Sequence, residues 1–187
     1  MVIEQLRPDE WERLKAVRLR ALADAPDAFG STFDQVSLWR DTRWQEQCRT
    51  IPTFVAVIDG SDVGMVRGAA SPEQSDAVFV ISMWVERAAR RQGVGSALID
   101  ALTAWAQTVG FSRLLLDVSD TNPGAIALYA SKGFQPNGHT STMPSPREHI
   151  REHQRELRLP SAGDLSEVGE GGPSRESFQA TKTSESP

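Results

Sequence analysis

The run "AVFVISMWV" at 77–85 leads through a glycine turn into the cleanest amphipathic helix of the chain. Val94, Ala97, Leu98, Ala101, Leu102, Trp105 and Val109 recur at steps of three and four, the period of one helix face, and Gly110 supplies a helix stop. A second apolar strand, "RLLLDVS", follows within three residues. A strand, a helix and a strand over 79–119 predict a right-handed parallel crossover, because a twisted strand packs back onto its own sheet only with that hand. The first of these strands is apolar on both faces, which places it at the centre of a sheet covered on both sides. This unit commits the chain to a mixed α/β fold.

The flanking pattern completes the sheet. "VIEQL" at 2–6 reads as a first strand, and a helix follows from Pro8 with Trp11, Leu14, Arg18, Leu22 and Ala25 on one face, closed by Pro26. A second helix is expected from about Asp34 to Cys48. "TFVAVIDGSDVGMVRGAAS" reads as a hairpin turning at Asp59-Gly60. Asn122-Pro123 opens a short helix through about Lys132, since proline in the first helical turn loses no hydrogen bond and asparagine can cap. "GFQPNGH" and "HQRELRL" supply two last strands. The expectation is a mixed central sheet of about seven strands, mostly antiparallel with a central parallel splayed pair, flanked by about four helices. It occupies 1–159. Beyond it, 160–187 is acidic and rich in Ser, Gly and Pro, a composition that buries too little apolar surface to offset ordering entropy and is expected to be disordered.

Charge and cysteine usage narrow the partners. The chain of 187 residues carries a formal −5, of which the tail holds −3, so the body is close to neutral. No basic stripe or arginine–aromatic cluster calls for nucleic acid. The N-terminus has charges where a signal peptide would be apolar, and no apolar run approaches the roughly 20 residues that span a bilayer. The lone Cys48 excludes an internal disulfide. These features predict a cytoplasmic protein without a membrane partner, a monomer or homodimer.

The turn itself reads Arg90-Arg91-Gln92-Gly93-Val94-Gly95-Ser96. Taken alone it has two readings: a helix start with incidental charges, or a phosphate cradle. Unpaired N–H groups and the helix dipole favour anions at such a point, and glycines let a phosphate approach the backbone. The third glycine of a dinucleotide fingerprint is missing, since Leu98 stands there, and no Gly-Lys-Ser/Thr follows, so neither a Rossmann motif nor a P-loop fits.

The block "MWVERAARRQGVGSALID" resembles the acetyl-CoA-binding motif of the GNAT family of N-acetyltransferases, whose core is Arg/Gln-x-x-Gly-x-Gly/Ala. Arg90, Gly93 and Gly95 take those places; Arg87 stands where the family usually has proline. "LLLDVSDTNPGAIALYASKGF" resembles the family's later segment, with Asn122 and Tyr129 at its recurrent Asn and Tyr positions. The likeness covers roughly residues 1–159 and extends to bacterial members that acetylate ribosomal-protein N-termini.

The resemblance implies a transferase that moves an acetyl group from acetyl-CoA, as cosubstrate, to a primary amine of a small molecule or protein, without a metal. Met83, Trp84 and Val85 would offer main-chain groups to the pantetheine. Arg90, Arg91, Gln92, Gly93, Val94, Gly95 and Ser96 would hold the pyrophosphate, and Asn122 would cap its helix, touch the cofactor, or both. An alkylammonium must lose a proton before it attacks a thioester. Asp117 aligns with an acidic proton acceptor of the family, one methylene shorter than the usual Glu, and Glu86 is the alternative. Tyr129, the chain's single tyrosine, would donate to the leaving thiolate. The implied acceptor loops are "DAPDAFGSTF" and "QPNGHTSTMPSPRE", where Phe29, Phe33 and His139, with Trp84, would line the amine's site.

Two other readings compete. His149-Ile-Arg-Glu-His153 matches an inverted zincin pattern, which needs a helix to bring both histidines together and a third ligand elsewhere. A domain that binds acetyl-CoA for sensing or scaffolding is the alternative from another class, and an intact Tyr129 and Asn122 speak against it.

Overall fold

β4 (Ala77–Val85) and β5 (Arg113–Ser119) form the parallel pair at the middle of a seven-stranded sheet. The computed structural model describes residues 1–160, so the tail expected to be disordered lies outside the described residues. The other strands are β1 (Val2–Gln5), β2 (Thr53–Ile58), β3 (Ser61–Ala70), β6 (Gln135–Thr142) and β7 (Arg151–Arg158). Their order across the sheet is β1-β2-β3-β4-β5-β7-β6, and every neighbouring pair except β4–β5 is antiparallel. β4 stands fourth of seven, as its two apolar faces require.

The parallel pair stays together for three residues only, Ala77–Arg113, Val78–Leu114 and Phe79–Leu115. Asp76 clasps this closed end. Its carbonyl accepts from the Ser112 and Arg113 amides at 2.9 and 3.2 Å, and its carboxylate accepts from Ser112 Oγ and Arg113 Nη2, both at 2.6 Å. Beyond Phe79 the strands part, because each follows its other neighbour: β4 stays with β3 as far as Val85, and β5 stays with β7 as far as Ser119.

Helices cover both faces. α4 (Val94–Val109) and α5 (Pro123–Ser131) bury Leu98, Ile99, Leu102 and Tyr129 against Phe54, Val66, Val80, Leu116 and Val118. α1 (Trp11–Asp24), α2 (Phe33–Ser37) and α3 (Asp41–Thr50) bury Leu14, Leu22, Val36 and Trp44 against Val55, Met65 and Trp84 on the opposite face. α4 runs very close to β3: a Cβ on Gly68 would lie 2.7 Å from Leu102 Cδ1. Left-handed glycines mark both ends of α4, Gly93 at φ +81° and Gly110 at φ +90°. The β2–β3 turn at Asp59-Gly60 has positive φ at both residues, the twist that matches two paired strands.

The single helix expected over 34–48 is two, so five helices flank the sheet rather than four. Thr32 and Gln35 form a capping box that starts α2, while Arg40 is extended at φ −69° and ψ 154° and breaks the path before α3. Trp39, in the break, turns its ring onto Trp44 at 5.0 Å, with the Arg43 guanidinium 4.1 Å above it. That packing replaces the continuous apolar stripe that Val36, Trp39 and Trp44 suggested. The two zincin-like histidines fall on a turn and on β7, so no helix face carries both. No helix among the described residues is long and apolar enough to cross a membrane.

Candidate active site

The parting of β4 and β5 opens a cleft of about 590 Å³ that reaches both faces of the sheet. On the α4 side it is lined by Gly93, Gly95 and Ser96 and by Asn122, Leu128 and Tyr129. Side chains alternate along β5, so Asp117 and Ser119 face away from the Leu116 and Val118 that pack under α4. They share the α1 side of the cleft with Phe29, Trp84, Met143 and Glu152.

The start of α4 turns unpaired backbone amides toward the cleft. The first intrahelical bond runs from the Ala97 amide to the Gly93 carbonyl at 3.0 Å, which leaves the amides of Val94, Gly95 and Ser96 without a helical acceptor. A Cβ on Gly95 would lie 3.0 Å from Leu128 Cδ2 and 3.2 Å from Met83 Cε, so glycine keeps the cleft open there. Arg91, at φ +65°, lines the cleft beside it. Arg90 is otherwise engaged: its guanidinium donates to Val85 O at 2.8 Å and to Asp24 Oδ2 at 2.6 Å. Asp24 Oδ2 also accepts from Trp84 Nε1 at 2.9 Å, so one carboxylate ties α1 to β4 and to the glycine turn. Gln92 turns back to the Ala88 carbonyl, and the Val94 side chain is buried in the core; neither lines the cleft.

The edge of β4 that faces the gap has no strand partner after Phe79. Met83, Trp84 and Val85 line the cleft along it. A bulge precedes them: the β3–β4 register shifts between Met65 and Arg67, and Ser82 sits at φ +56°. Arg18 of α1, itself buried, donates to Ser82 Oγ at 2.7 Å across this irregular turn of the strand.

Tyr129 is 6% exposed, with its ring edge-on to Phe134 at 5.8 Å. Burial pushes its phenol well above the ordinary tyrosine range, so the hydroxyl enters as a neutral hydrogen-bond donor. Asn122 caps α5 through Oδ1, which accepts from the Ala125 amide at 3.1 Å, and it also lines the cleft. Asp117 is exposed, with Oδ1 accepting from Gln154 Nε2 at 3.3 Å. Of the expected acceptor residues, Phe29 and Trp84 line the cleft. Phe33 is exposed on α2, His139 is exposed on β6, and Glu86 also stands outside the lining.

Two residues that sequence reasoning missed belong here. Glu152 of β7 lines the cleft half-buried. Burial first and the charge of Asp117 second push its carboxyl up, against a smaller opposite pull from Arg147. Arg147, in the segment between β6 and β7, donates to the carbonyls of Pro26 and Gly30 and so staples that segment to the one joining α1 to α2. A strand reading of "HQRELRL" carries no sign of either, because only the β5–β7 register brings Glu152 opposite Ser119.

Unpaired amides at a helix start, an unpaired strand edge, a buried phenol and carboxylates on the far side together suit transfer from a phosphate-bearing, amide-bearing thioester to an amine. Comparison with known proteins agrees. The model of the acetyltransferase (GNAT) family matches residues 17–134. The L-2,4-diaminobutyric acid acetyltransferase of Nocardia farcinica is 34% identical over 143 residues, 69% of this chain and 72% of that relative. A GNAT-family acetyltransferase structure from Streptococcus pneumoniae superposes with a TM-score of 0.74 at 20% identity, over 85% of this chain and 99% of its own. A Salmonella typhimurium protein solved with its cofactor acetyl-CoA superposes at 0.67 and 18% identity, over 87% of this chain and 98% of its own. The chain belongs to the GNAT acetyltransferase family and is an acetyl-CoA-dependent N-acetyltransferase.

Proposed function

We propose that acetyl-CoA enters from the α4 side, with its pyrophosphate on the amides of Val94, Gly95 and Ser96 and beside Arg91, and its pantetheine along Met83–Val85. The acceptor amine approaches from the α1 side, between Phe29, Trp84 and the β5–β7 carboxylates. Tyr129 stands across the gap and supplies the hydrogen bond, then the proton, that a departing thiolate needs. Arg90 acts by fixing the turn rather than by touching phosphate. The observation that carries this reading is the cleft itself, since it joins the glycine turn, the β4 edge and Tyr129 in one continuous space.

The acceptor is a primary amine, and L-2,4-diaminobutyrate, the amine named for the Nocardia relative, is the first to test. A cytoplasmic monomer or homodimer acting without metal, nucleic acid or membrane fits the composition. Thiol release from acetyl-CoA is measured with L-2,4-diaminobutyrate, 1,4-diaminobutane and an alanine-led peptide. Tyr129→Phe should lower turnover about 10²–10⁴-fold while acetyl-CoA affinity and melting temperature hold. Wild-type turnover in that variant removes Tyr129 from the chemistry.

A further inference from the structure

The geometry points to Glu152 on β7, rather than Asp117 on β5, as the group that takes the proton from the acceptor ammonium. This rests on the acetyl-transfer reading above and adds the residue that starts the reaction.

Both carboxylates line the α1 side of the cleft, two residues apart along one face of the β5–β7 ladder: Asp117 pairs with Gln154 and Ser119 with Glu152. They are held differently. Asn137 Nδ2 donates to Gln154 Oε1 at 2.8 Å, which turns the Gln154 amide so that Nε2 donates to Asp117 Oδ1. Asp117 is exposed and is held in place by this neutral donor. Glu152 is the more buried of the two, and its extra methylene lengthens its reach from β7, one strand behind β5, to the cleft that it lines. The residues directly opposite it, Ser119 on β5 and Ser141 on β6, are uncharged. The charges that bear on it are Asp117 and Arg147. Arg147 has its guanidinium turned to the carbonyls of Pro26 and Gly30. A carboxylate that is desolvated and has a second acid beside it gains basicity nearer the working pH, which is what a proton acceptor needs.

The proton count closes. The ammonium gives one proton to the Glu152 carboxylate, and the freed lone pair forms the N–C bond to the acetyl carbonyl carbon. The C–S bond breaks, and the sulfur leaves as a thiol with the Tyr129 proton. The second proton, shed by nitrogen as the amide forms, restores the tyrosine through water. Glu152 then returns its proton to solvent, so each turnover releases one.

The test is the pH dependence of kcat at saturating amine in wild type, Glu152→Gln and Asp117→Asn, with the three amines named above. Glu152→Gln should lose about 10²–10⁴-fold in kcat and lose the acidic limb, with acetyl-CoA affinity unchanged. Asp117→Asn should keep an acidic limb but move it to lower pH, because removing a neighbouring negative charge makes Glu152 a weaker base. Carboxyl ¹³C NMR on the full chain gives a readout free of turnover: the Glu152 titration should lie above the ordinary value of about 4.3 and fall in Asp117→Asn. An acidic limb that survives Glu152→Gln and vanishes in Asp117→Asn would overturn the assignment. So would a Glu152 carboxyl that titrates like a free glutamate and ignores residue 117. The Tyr129→Phe result reports on the parent reading separately, so either can fail alone.

Discussion

Replacing Asp24 with alanine removes the one carboxylate that joins α1, β4 and the glycine turn. The cost has two parts of different weight. Trp84 is 5% exposed, and its indole N–H donates to Asp24, so truncation strands a buried donor. A stranded donor costs about 1–3 kcal/mol. The Arg90–Asp24 pair is shorter, at 2.6 Å, but its side chains are 46% and 33% exposed. Solvent screening limits a pair of that kind to about 1 kcal/mol or less. The sum is about 1–4 kcal/mol, led by the indole hydrogen bond rather than by the ion pair. At this chain length a loss of that size lowers the melting temperature by about 2–16 °C. Asp24→Asn separates the two parts, because its carbonyl oxygen still accepts from Trp84 while the charge opposite Arg90 is gone. It should cost about 1 kcal/mol or less. Thermal unfolding of wild type, Asp24→Asn and Asp24→Ala, each at low and high salt, measures the split. Equal losses in the two variants, or a loss in Asp24→Ala that salt abolishes, would refute the reasoning by showing that charge outweighs the buried indole.

Other perturbations test the frame around the cleft. Gly68→Ala should destabilise by about 1–3 kcal/mol, read by urea unfolding, because the new methyl lands against Leu102, Val78 and Trp105 together and no single side chain can yield. Asp76 has its carboxyl pushed well below the ordinary range by Arg113 and then Ser112, so its stabilising contribution is fully present above about pH 4 and is lost as pH falls through its folded-state value. Melting curves of wild type and Asp76→Asn should therefore differ at neutral pH and converge in acid; a constant offset across pH would assign the difference to packing instead.

The sequence told most where one residue's neighbours in the chain are also its neighbours in space. The β4–turn–α4–β5 unit is local, and its apolar period, its glycines and its length each point the same way. The place of Tyr129 beside the cleft was legible for a related reason, as its motif sits within about two turns of helix after Asn122. The α2–α3 break was not, because Trp39 lies at helical spacing from Val36, and only its contact with Trp44 shows that the stripe is interrupted. Glu152 and Arg147 were not legible either. Their positions at the cleft depend on strand register and on a bridge between segments more than 110 residues apart, neither of which leaves a trace in periodicity. Arg90 carried a motif position yet proved to be bound to Asp24, a partner 66 residues away that no local pattern names.

The short pairing of β4 with β5 places an open sheet edge on the inside of the molecule. Exposed edges on the outside invite other chains to add on, and proteins normally blunt them. Here β4 on one flank and β5 on the other bound the gap, and a strand-like chain added to either would sit about 4.8 Å from it. A folded polypeptide cannot enter a slot of that width, whereas a thin amide-bearing arm can. The edge is therefore kept from aggregation by its confinement, and under the proposed reading the same confinement would sort ligands by cross-section before any side chain reads them. The Val85 amide hydrogen, which points away from β3, should exchange quickly in the free protein and slow when CoA alone, without an acyl group, fills the slot, whereas that of Trp84, in register with Met65, should stay protected throughout.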